Sequence, residues 1–346
     1  MRWMTQPALR LSVLDQSTVA VGKTEDTAIR DTVALAQHCE ALGYSRYWVS
    51  EHHNHASIVG TAPEVLLAAL AVSTSRIRLG SAGVMLPHFS ALHVAEQFRV
   101  LDALAPNRID LGVGRAPGSD GRTAYALNPH GDGGESFPAQ VRDLLHWLHG
   151  LELPSGHNFR GVAAHPMTAQ SAPELWMLGS SDYGAQLAAA FGLPYSFAHF
   201  ITDGRGADQA LELYRRSFKP SSFGDTPKAN LCIWALAADT EEEARHLFRT
   251  RARWKLDRNQ GRLGPLMAPD DVPPFTPSEE AEVDSLWQRS FAGSGPQVAQ
   301  KLRDYAAKLQ LDEIVILTWT HDQGVKRRSY ELLAREFALN EKAAAA

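Results

Sequence analysis

The chain has 346 residues, of which 44% are hydrophobic, so it can build one large domain or two ordinary ones. Its formal net charge of −5 is small for this length and gives no support for a nucleic-acid or acidic-membrane partner. The sequence lacks both a membrane-spanning apolar run and the apolar middle of a signal peptide. Cys39 and Cys232 lie far apart and are typical of buried reduced thiols. We therefore predict a cytoplasmic protein without a bound metal.

Strand-like runs alternate with helical patterns along the chain. Residues 9–15 form the first apolar run, and residues 26–42 then switch to helical spacing that ends at Gly43. Further strands are predicted at 46–50, 77–84, 108–113, 174–178, 195–198, 231–238 and 312–318. Short, even strand–helix units indicate parallel strands with right-handed crossovers. Eight of them predict a closed (β/α)8 TIM barrel with insertion loops at its C-terminal face.

The prediction treats residues 1–346 as a single barrel domain. Three stretches interrupt the strand–helix alternation, at about 114–134, 150–172 and 256–293, and residues 341–346 form an alanine-rich tail that we expect to fray. A doubly wound sheet is the alternative fold, and it would place a Gly-x-Gly-x-x-Gly turn after an early strand. After the first strand the chain offers Gly22 alone, which disfavours that alternative.

A cluster of ionisable residues follows the second predicted strand. Glu51, His52 and His53 come directly after residues 46–50. In parallel barrels the loops at the carboxyl ends of the strands carry the active site. Adjacent histidines on a loop more often belong to a solvated turn or a hydrogen-bond network, so this cluster gains weight from the other strand ends.

Two of those other strand ends predict an anion site. Gly179, Ser180 and Ser181 precede a predicted helix, where free amides and hydroxyls bind anions, although a plain serine N-cap is the commoner use of such residues. Arg115 follows Gly114 after the fourth strand and is either a surface arginine or a bidentate phosphate ligand. If the two loops converge, they predict a phosphorylated cofactor.

Several motifs together carry a resemblance to a known family. The chain resembles the bacterial luciferase-like family of flavin-dependent monooxygenases from the first to the sixth strand and again over the eighth. The residues that carry it lie at 47–53, 78–87, 95–97, 107–115, 179–181 and 192–194.

The resemblance implies a set of site residues. It implies a barrel that binds reduced FMN, with His52 as the acid/base near the flavin. Arg115 and Ser181 would hold the phosphate, with Gly179 and Ser180 in the same turn as Ser181. A non-proline cis peptide between Ala82 and Gly83 would lie under the flavin ring. Trp319 would lie against the isoalloxazine, although its position suits a barrel-capping tryptophan nearly as well.

The resemblance also implies a reaction and partners. Reduced flavin would react with O₂ through a C4a-peroxide and oxygenate a small organic substrate. A separate flavin reductase would supply the reduced flavin, because the chain lacks a nicotinamide-binding fingerprint. A homodimer that packs around the second and third helices is expected.

Three alternatives stay open. The first is an F420-dependent oxidoreductase that transfers hydride on the same barrel and uses Arg115, Arg122 and Arg205 for the acidic tail of F420. The second is a metal-dependent barrel hydrolase, based on the His-x-His pair at 53–55 and on polar residues near other strand ends. The third is a flavin-binding protein without turnover. For the hydrolase, the polar residues near other strand ends, besides the His-x-His pair at 53–55, are His199, His321 and Asp322.

Overall fold

Parallel β-strands form the centre of the structure. The computed structural model describes residues 9–167 and 171–340, and the expected fraying of residues 341–346 lies outside them. The strands are β1 (Arg10–Asp15), β2 (Arg46–Val49), β3 (Arg78–Met85), β4 (Ile109–Gly114), β5 (Glu174–Gly179), β6 (Tyr195–Phe197), β7 (Ala229–Ala238), β8 (Phe291–Ser294) and β9 (Glu313–Leu317).

Eight of these strands close into a barrel. Neighbouring strands pair in parallel in the order β6-β5-β4-β3-β2-β1-β9-β7, and a further pairing between β6 and β7 closes the ring. All eight predicted strands are barrel strands, so the predicted (β/α)8 fold is confirmed.

Helices surround the barrel. None of those within the described ranges is long and apolar enough to cross a membrane. They are α1 (Glu25–Ala41), α2 (Pro63–Ser73), α3 (Ala91–Leu104), α4 (Gly121–Leu127), α5 (Phe137–His149), α6 (Asp182–Phe191), α7 (His199–Thr202), α8 (Ala207–Ser217), α9 (Glu241–Asn259), α10 (Pro277–Arg289), α11 (Gly295–Leu309) and α12 (Gln323–Glu336).

The predicted insertions hold structure that the sequence pattern did not reveal. Helix α4 lies within 114–134, and residues 256–293 contain the end of α9, helix α10 and most of β8. Strand β8 pairs with Ala235–Ala238 of β7, outside the closed ring. Thr276 caps α10 in a capping box with Glu279, a signal that is visible in the sequence. Residues 150–167 form turns without a helix or strand.

Alternate residues of each strand face the barrel interior and the helices. In β2, Tyr47 and Val49 pack into the layer between strands and helices, whereas Trp48 packs inside the barrel. The Trp48 and Trp176 rings meet edge to face at a centroid distance of 5.3 Å. This period of two is the geometry of a barrel strand that is buried on both faces.

A buried ion cluster fills the barrel at the amino ends of the strands. Arg46 is 3% exposed, and its Nη1 lies 2.6 Å from Asp110 Oδ2 while its Nε lies 2.8 Å from Glu313 Oε1. Arg78 also contacts Asp110, and Trp48 donates its indole N–H to the same carboxylate. Although burial opposes a charged Arg46, the neighbouring Asp110 and Glu313 raise its pKa above the ordinary value. The cluster ties four strands together at the end opposite to their carboxyl termini.

We expect Arg46→Met to destabilise the fold by about 3–5 kcal/mol, because it leaves buried carboxylates without their cation. Arg160→Met is the matched control, since the side chain of Arg160 is 51% exposed and that of its partner Glu152 is 62% exposed. Such a surface pair is worth less than about 1 kcal/mol. The measurement is urea unfolding of both variants. Equal losses would contradict a special role for the cluster.

Candidate active site

A cavity of about 310 Å³ opens at the carboxyl ends of the barrel strands. We call it the first cavity. It gathers segments that are far apart in the sequence, because parallel strands end at the same rim. The sequence-predicted residues that line it are His52, Ala82, Gly83, Arg115, Gly179, Ser180 and Ser181.

One end of the first cavity is suited to bind an anion. Ser181 stands at the N-cap position of α6, and its side chain makes no capping hydrogen bond, so the hydroxyl and the first amides of the helix are available. The Arg115 guanidinium lies 3.9 Å from the ring centroid of Tyr183 in the first turn of that helix. A fixed cation and a helix N-terminus therefore meet, which favours a phosphate. The structure thus brings the two loops together at one cavity, and their binding of a phosphate stays a prediction.

His52 lies at another wall of the first cavity. Its Nδ1 is 3.2 Å from Ser50 Oγ, and its backbone N–H donates to Gly60 O at 2.9 Å. Burial, with smaller contributions from His55 and His53, lowers the pKa of His52 to about 4. The imidazole is therefore neutral at pH 7 and can exchange hydrogen bonds with a bound molecule.

The neighbouring Glu51 and His53 have a structural role. Glu51 is 1% exposed, its Oε1 lies 2.7 Å from His53 Nε2, and its Oε2 accepts the Met85 amide N–H at 2.8 Å. This carboxylate thus links the end of β2 to the end of β3. The run at 51–53 separates into one residue at the cavity, His52, and two residues that hold its loop.

The Ala82–Gly83 peptide bond is cis, as the resemblance implied. A Cβ at Gly83 would meet the Leu178 side chain and would come within 2.7 Å of Gly112 O, so a glycine is required there. Both residues line the first cavity.

Trp319 lies in a neighbouring cavity, outside the wall of the first. This second cavity, of about 230 Å³, shares His52, Gln16, Phe200 and Ile201 with the first. Trp319 donates its indole N–H to Gln16 Oε1 at 3.1 Å, so Gln16 separates it from the first cavity. Its role against a flavin ring stays a prediction.

Sequence reasoning missed several lining residues. Gln16 was visible as the residue after the first strand, but nothing in its surroundings marked it. Tyr183 and Phe200 belong to helices that follow strand ends, and their aromatic character fits an ordinary core equally well. Their place became visible when the fold brought the loops together.

The residues that suggested a metal centre have other partners. His199 packs against Phe291 and Tyr305, His321 bonds to the Val21 carbonyl, and Asp322 caps α12. Within residues 9–167 and 171–340, no group of three or more His, Cys, Asp or Glu side chains is placed to hold a metal ion. The described residues therefore offer no ligand set for the metal-dependent hydrolase.

The fold and the cavity together define a (β/α)8 barrel whose carboxyl rim carries a partly apolar site with an arginine and a helix N-terminus at one end. A family model described as luciferase-like monooxygenase matches residues 9–311. The chain belongs to this family of luciferase-like monooxygenases.

Individual relatives agree with the family match. The chain is 39% identical to a luciferase-like monooxygenase of Escherichia coli strain K12, over 95% of this chain and 97% of that protein. It is 36% identical to the N-acetyl-S-alkylcysteine monooxygenase of Bacillus subtilis strain 168, over 94% and 97%. The solved structure of apo-MsnO8 is 34% identical, covers 96% of this chain and 99% of its own, and superposes with a TM-score of 0.86.

More distant structures share the fold. The oxygenating constituent of 3,6-diketocamphane monooxygenase from Pseudomonas putida, in complex with FMN, is 17% identical over 96% and 98% of the chains, with a TM-score of 0.68. An F420-dependent secondary alcohol dehydrogenase is 12% identical over 94% and 97%, with a TM-score of 0.60.

The lowered pKa of His52 predicts a pH-dependent stability. The usual pKa of histidine is about 6.5. As the pH falls from there towards 4, His52 becomes protonated in the unfolded chain but stays neutral in the folded protein. The free energy of unfolding therefore decreases over this range. The difference in unfolding free energy between His52→Gln and the wild type should therefore shift in favour of the variant over this range. Urea unfolding at several pH values measures it. Exposed His130→Gln is the control, and a difference for His52→Gln that stays constant with pH would refute the prediction.

Proposed function

We propose that the protein is an FMN-dependent monooxygenase that uses reduced FMN and O₂ to oxygenate a small organic substrate. The observation that carries the proposal is the meeting of Arg115 with the uncapped N-terminus of α6 at one end of the first cavity, with His52 on another wall. Family membership supports the monooxygenase class.

The residues of the first cavity fit FMN. Arg115, Ser181 and Ser180 would hold the phosphate, because they supply a fixed cation, hydroxyls and helix-terminal amides. The Ala82–Gly83 edge would lie against the ring system. When bound and reduced, FMN supplies the electrons that activate O₂. The apolar part of the wall, which includes Met177 and Leu178, would exclude water from the reacting atoms.

His52 would act as the acid/base of the reaction. Its neutral ring would take a proton from the substrate or the flavin in the transition state and return it later. Ser50 Oγ, 3.2 Å from Nδ1, would fix the orientation of the ring. Glu51 and His53 would act on His52 indirectly, since they hold the backbone of the loop.

A separate flavin reductase is the proposed transient partner. The chain lacks the Gly-x-Gly-x-x-Gly turn that would bind a nicotinamide cofactor, so electrons would arrive with reduced flavin. The proposed location is the cytoplasm, because Cys39 and Cys232 are free and buried.

An F420-dependent oxidoreductase is the second candidate function. Its support is the shared fold with the F420-dependent dehydrogenase and the presence of Arg122 and Arg205 as additional cations that could meet an acidic tail. Hydride transfer on F420 would need no oxygen.

A homodimer is proposed around α2 and α3, which pack against each other. Val65 and Val72 of α2 are 68% and 75% exposed, and Val100 and Leu104 of α3 are 47% and 49% exposed. Val65 and Val72 are seven residues apart and so share one helix face. A second copy of the chain would cover this apolar surface.

We expect Arg115→Ala to weaken FMN binding about tenfold to a hundredfold, because it removes a charged hydrogen-bond donor to the phosphate. Fluorescence titration of oxidised FMN and anaerobic titration of reduced FMN give the affinities. Arg122→Ala is the matched control, since Arg122 is an exposed arginine outside the first cavity. Wild-type protein that binds neither form of FMN but binds F420 would refute the proposal and favour the second candidate.

We expect Val72→Glu to shift the protein from dimer to monomer, because a buried carboxylate without a partner opposes association. Light scattering after size exclusion measures the mass. Val162→Glu, at a residue that is 43% exposed elsewhere on the surface, should leave the dimer intact. A monomeric wild-type protein would refute the proposed assembly.

A further inference from the structure

The second cavity has aromatic walls and basic residues. Trp234, Trp254 and Trp319 line it, and it reaches His52, which it shares with the first cavity. The Trp254 and Trp319 rings meet edge to face at 4.5 Å. A molecule in this cavity would therefore lie beside the proposed acid/base while leaving the first cavity to FMN.

One face of α9 supplies the charges of this cavity. Arg251, Trp254, Lys255 and Arg258 all line it. Their spacing of three, four and seven residues puts them on a single helix face. The helix thus presents three cations and an aromatic ring to the same small space.

The cations exceed the carboxylates around them. Asp203 lies 3.1 Å from Arg251 Nη2 and 2.8 Å from Lys255 Nζ, so one carboxylate serves two cations. The Arg251 Nε is buried without a hydrogen-bond partner in the described part of the chain.

Arg258 carries the unbalanced charge. Its guanidinium lies 5.6 Å from the ring centroid of Trp254, and within the described residues it has no hydrogen bond or ion pair of its side chain. Arg258, Lys255 and Ile201 also line a third cavity of about 210 Å³. The charged residues of that cavity are four cations and two carboxylates, so the surroundings of Arg258 have an excess of positive charge; they are Arg205, Lys255, Arg258, Arg289, Asp203 and Glu282.

We infer that the second cavity binds the carboxylate of a small organic acid with an apolar or aromatic body, and that Arg258 is the residue that selects the carboxylate. The inference rests on the proposed function, of which it names the substrate class. A cation that is partly removed from water and lacks an acidic partner gains strongly from a carboxylate. The tryptophan rings would cover the body of the same molecule. The acidic tail of F420 has the same chemistry, and the experiment distinguishes the two sources.

The experiment titrates the full-length protein with 3-phenylpropanoate and with its neutral isostere 3-phenylpropanamide, followed by tryptophan fluorescence. We expect the carboxylate to bind at least about tenfold more tightly, as one charged hydrogen bond allows. Arg258→Gln should remove that preference, and Arg258→Lys should keep part of it. Arg262→Gln is the matched control, because Arg262 is 62% exposed and paired with Asp257; it should bind as the wild type does. Thermal unfolding verifies that each variant is folded.

Equal affinity for the two probes, or no binding of either, would overturn the inference. The same titration is repeated with saturating FMN. Carboxylate binding that persists supports two separate cavities, whereas displacement by FMN would assign the cations to the cofactor and overturn the inference. A further repeat uses saturating F420. Displacement of the carboxylate by F420 but not by FMN would assign the cations to the F420 tail and would also overturn the inference. Failure of FMN to bind while the carboxylate preference remains would remove the proposed function and leave the carboxylate site standing, so the two failures are distinguishable.

Discussion

Because the eight barrel strands run parallel, their carboxyl ends meet at one rim and their amino ends at the other. The amino rim is held by the cluster of Arg46, Asp110 and Glu313, which are buried and satisfy one another's charges. The carboxyl rim is then free to carry loops selected for chemistry. The parallel pairing of β4 with β5 is also what brings Arg115 and Ser181 together, since they follow these two strands although 66 positions separate them in the sequence.

At the carboxyl rim, burial disfavours the charged forms of His52 and Arg251 alike but leaves the two groups in different charge states at pH 7. His52 lies where its charged form is disfavoured, so it is a neutral base at pH 7. Arg251 lies in a similarly buried place, where desolvation lowers its pKa to about 9, while the carboxylate of Asp203 opposes the shift. The rim thus holds an uncharged imidazole beside a set of cations.

The fold was predictable because its signals are local. Strand–helix alternation and glycines such as Gly43 mark the barrel units. Strand β8 was missed because its four residues, one of which is a glycine, are too few to show a periodic hydrophobic pattern. Arg115 and Ser181 were predicted because they follow strand ends. Trp319 was expected at the flavin, but which of two adjoining cavities it lines depends on the path of the Gln16 side chain. The charged face of α9 was missed because its basic residues resemble an ordinary solvated helix surface until α10 and the barrel bury them.

The two cavities draw on different parts of the chain. The anion end of the first comes from β4, β5 and the start of α6, and the distinctive wall of the second comes from β7, α9 and the segment after β9. The partition between them is made of side chains, including Gln16 and Phe200. A change on α9 can therefore alter what the second cavity accepts without disturbing the residues around Arg115. In such a barrel, divergence among relatives can proceed in one compartment while the other is inherited unchanged.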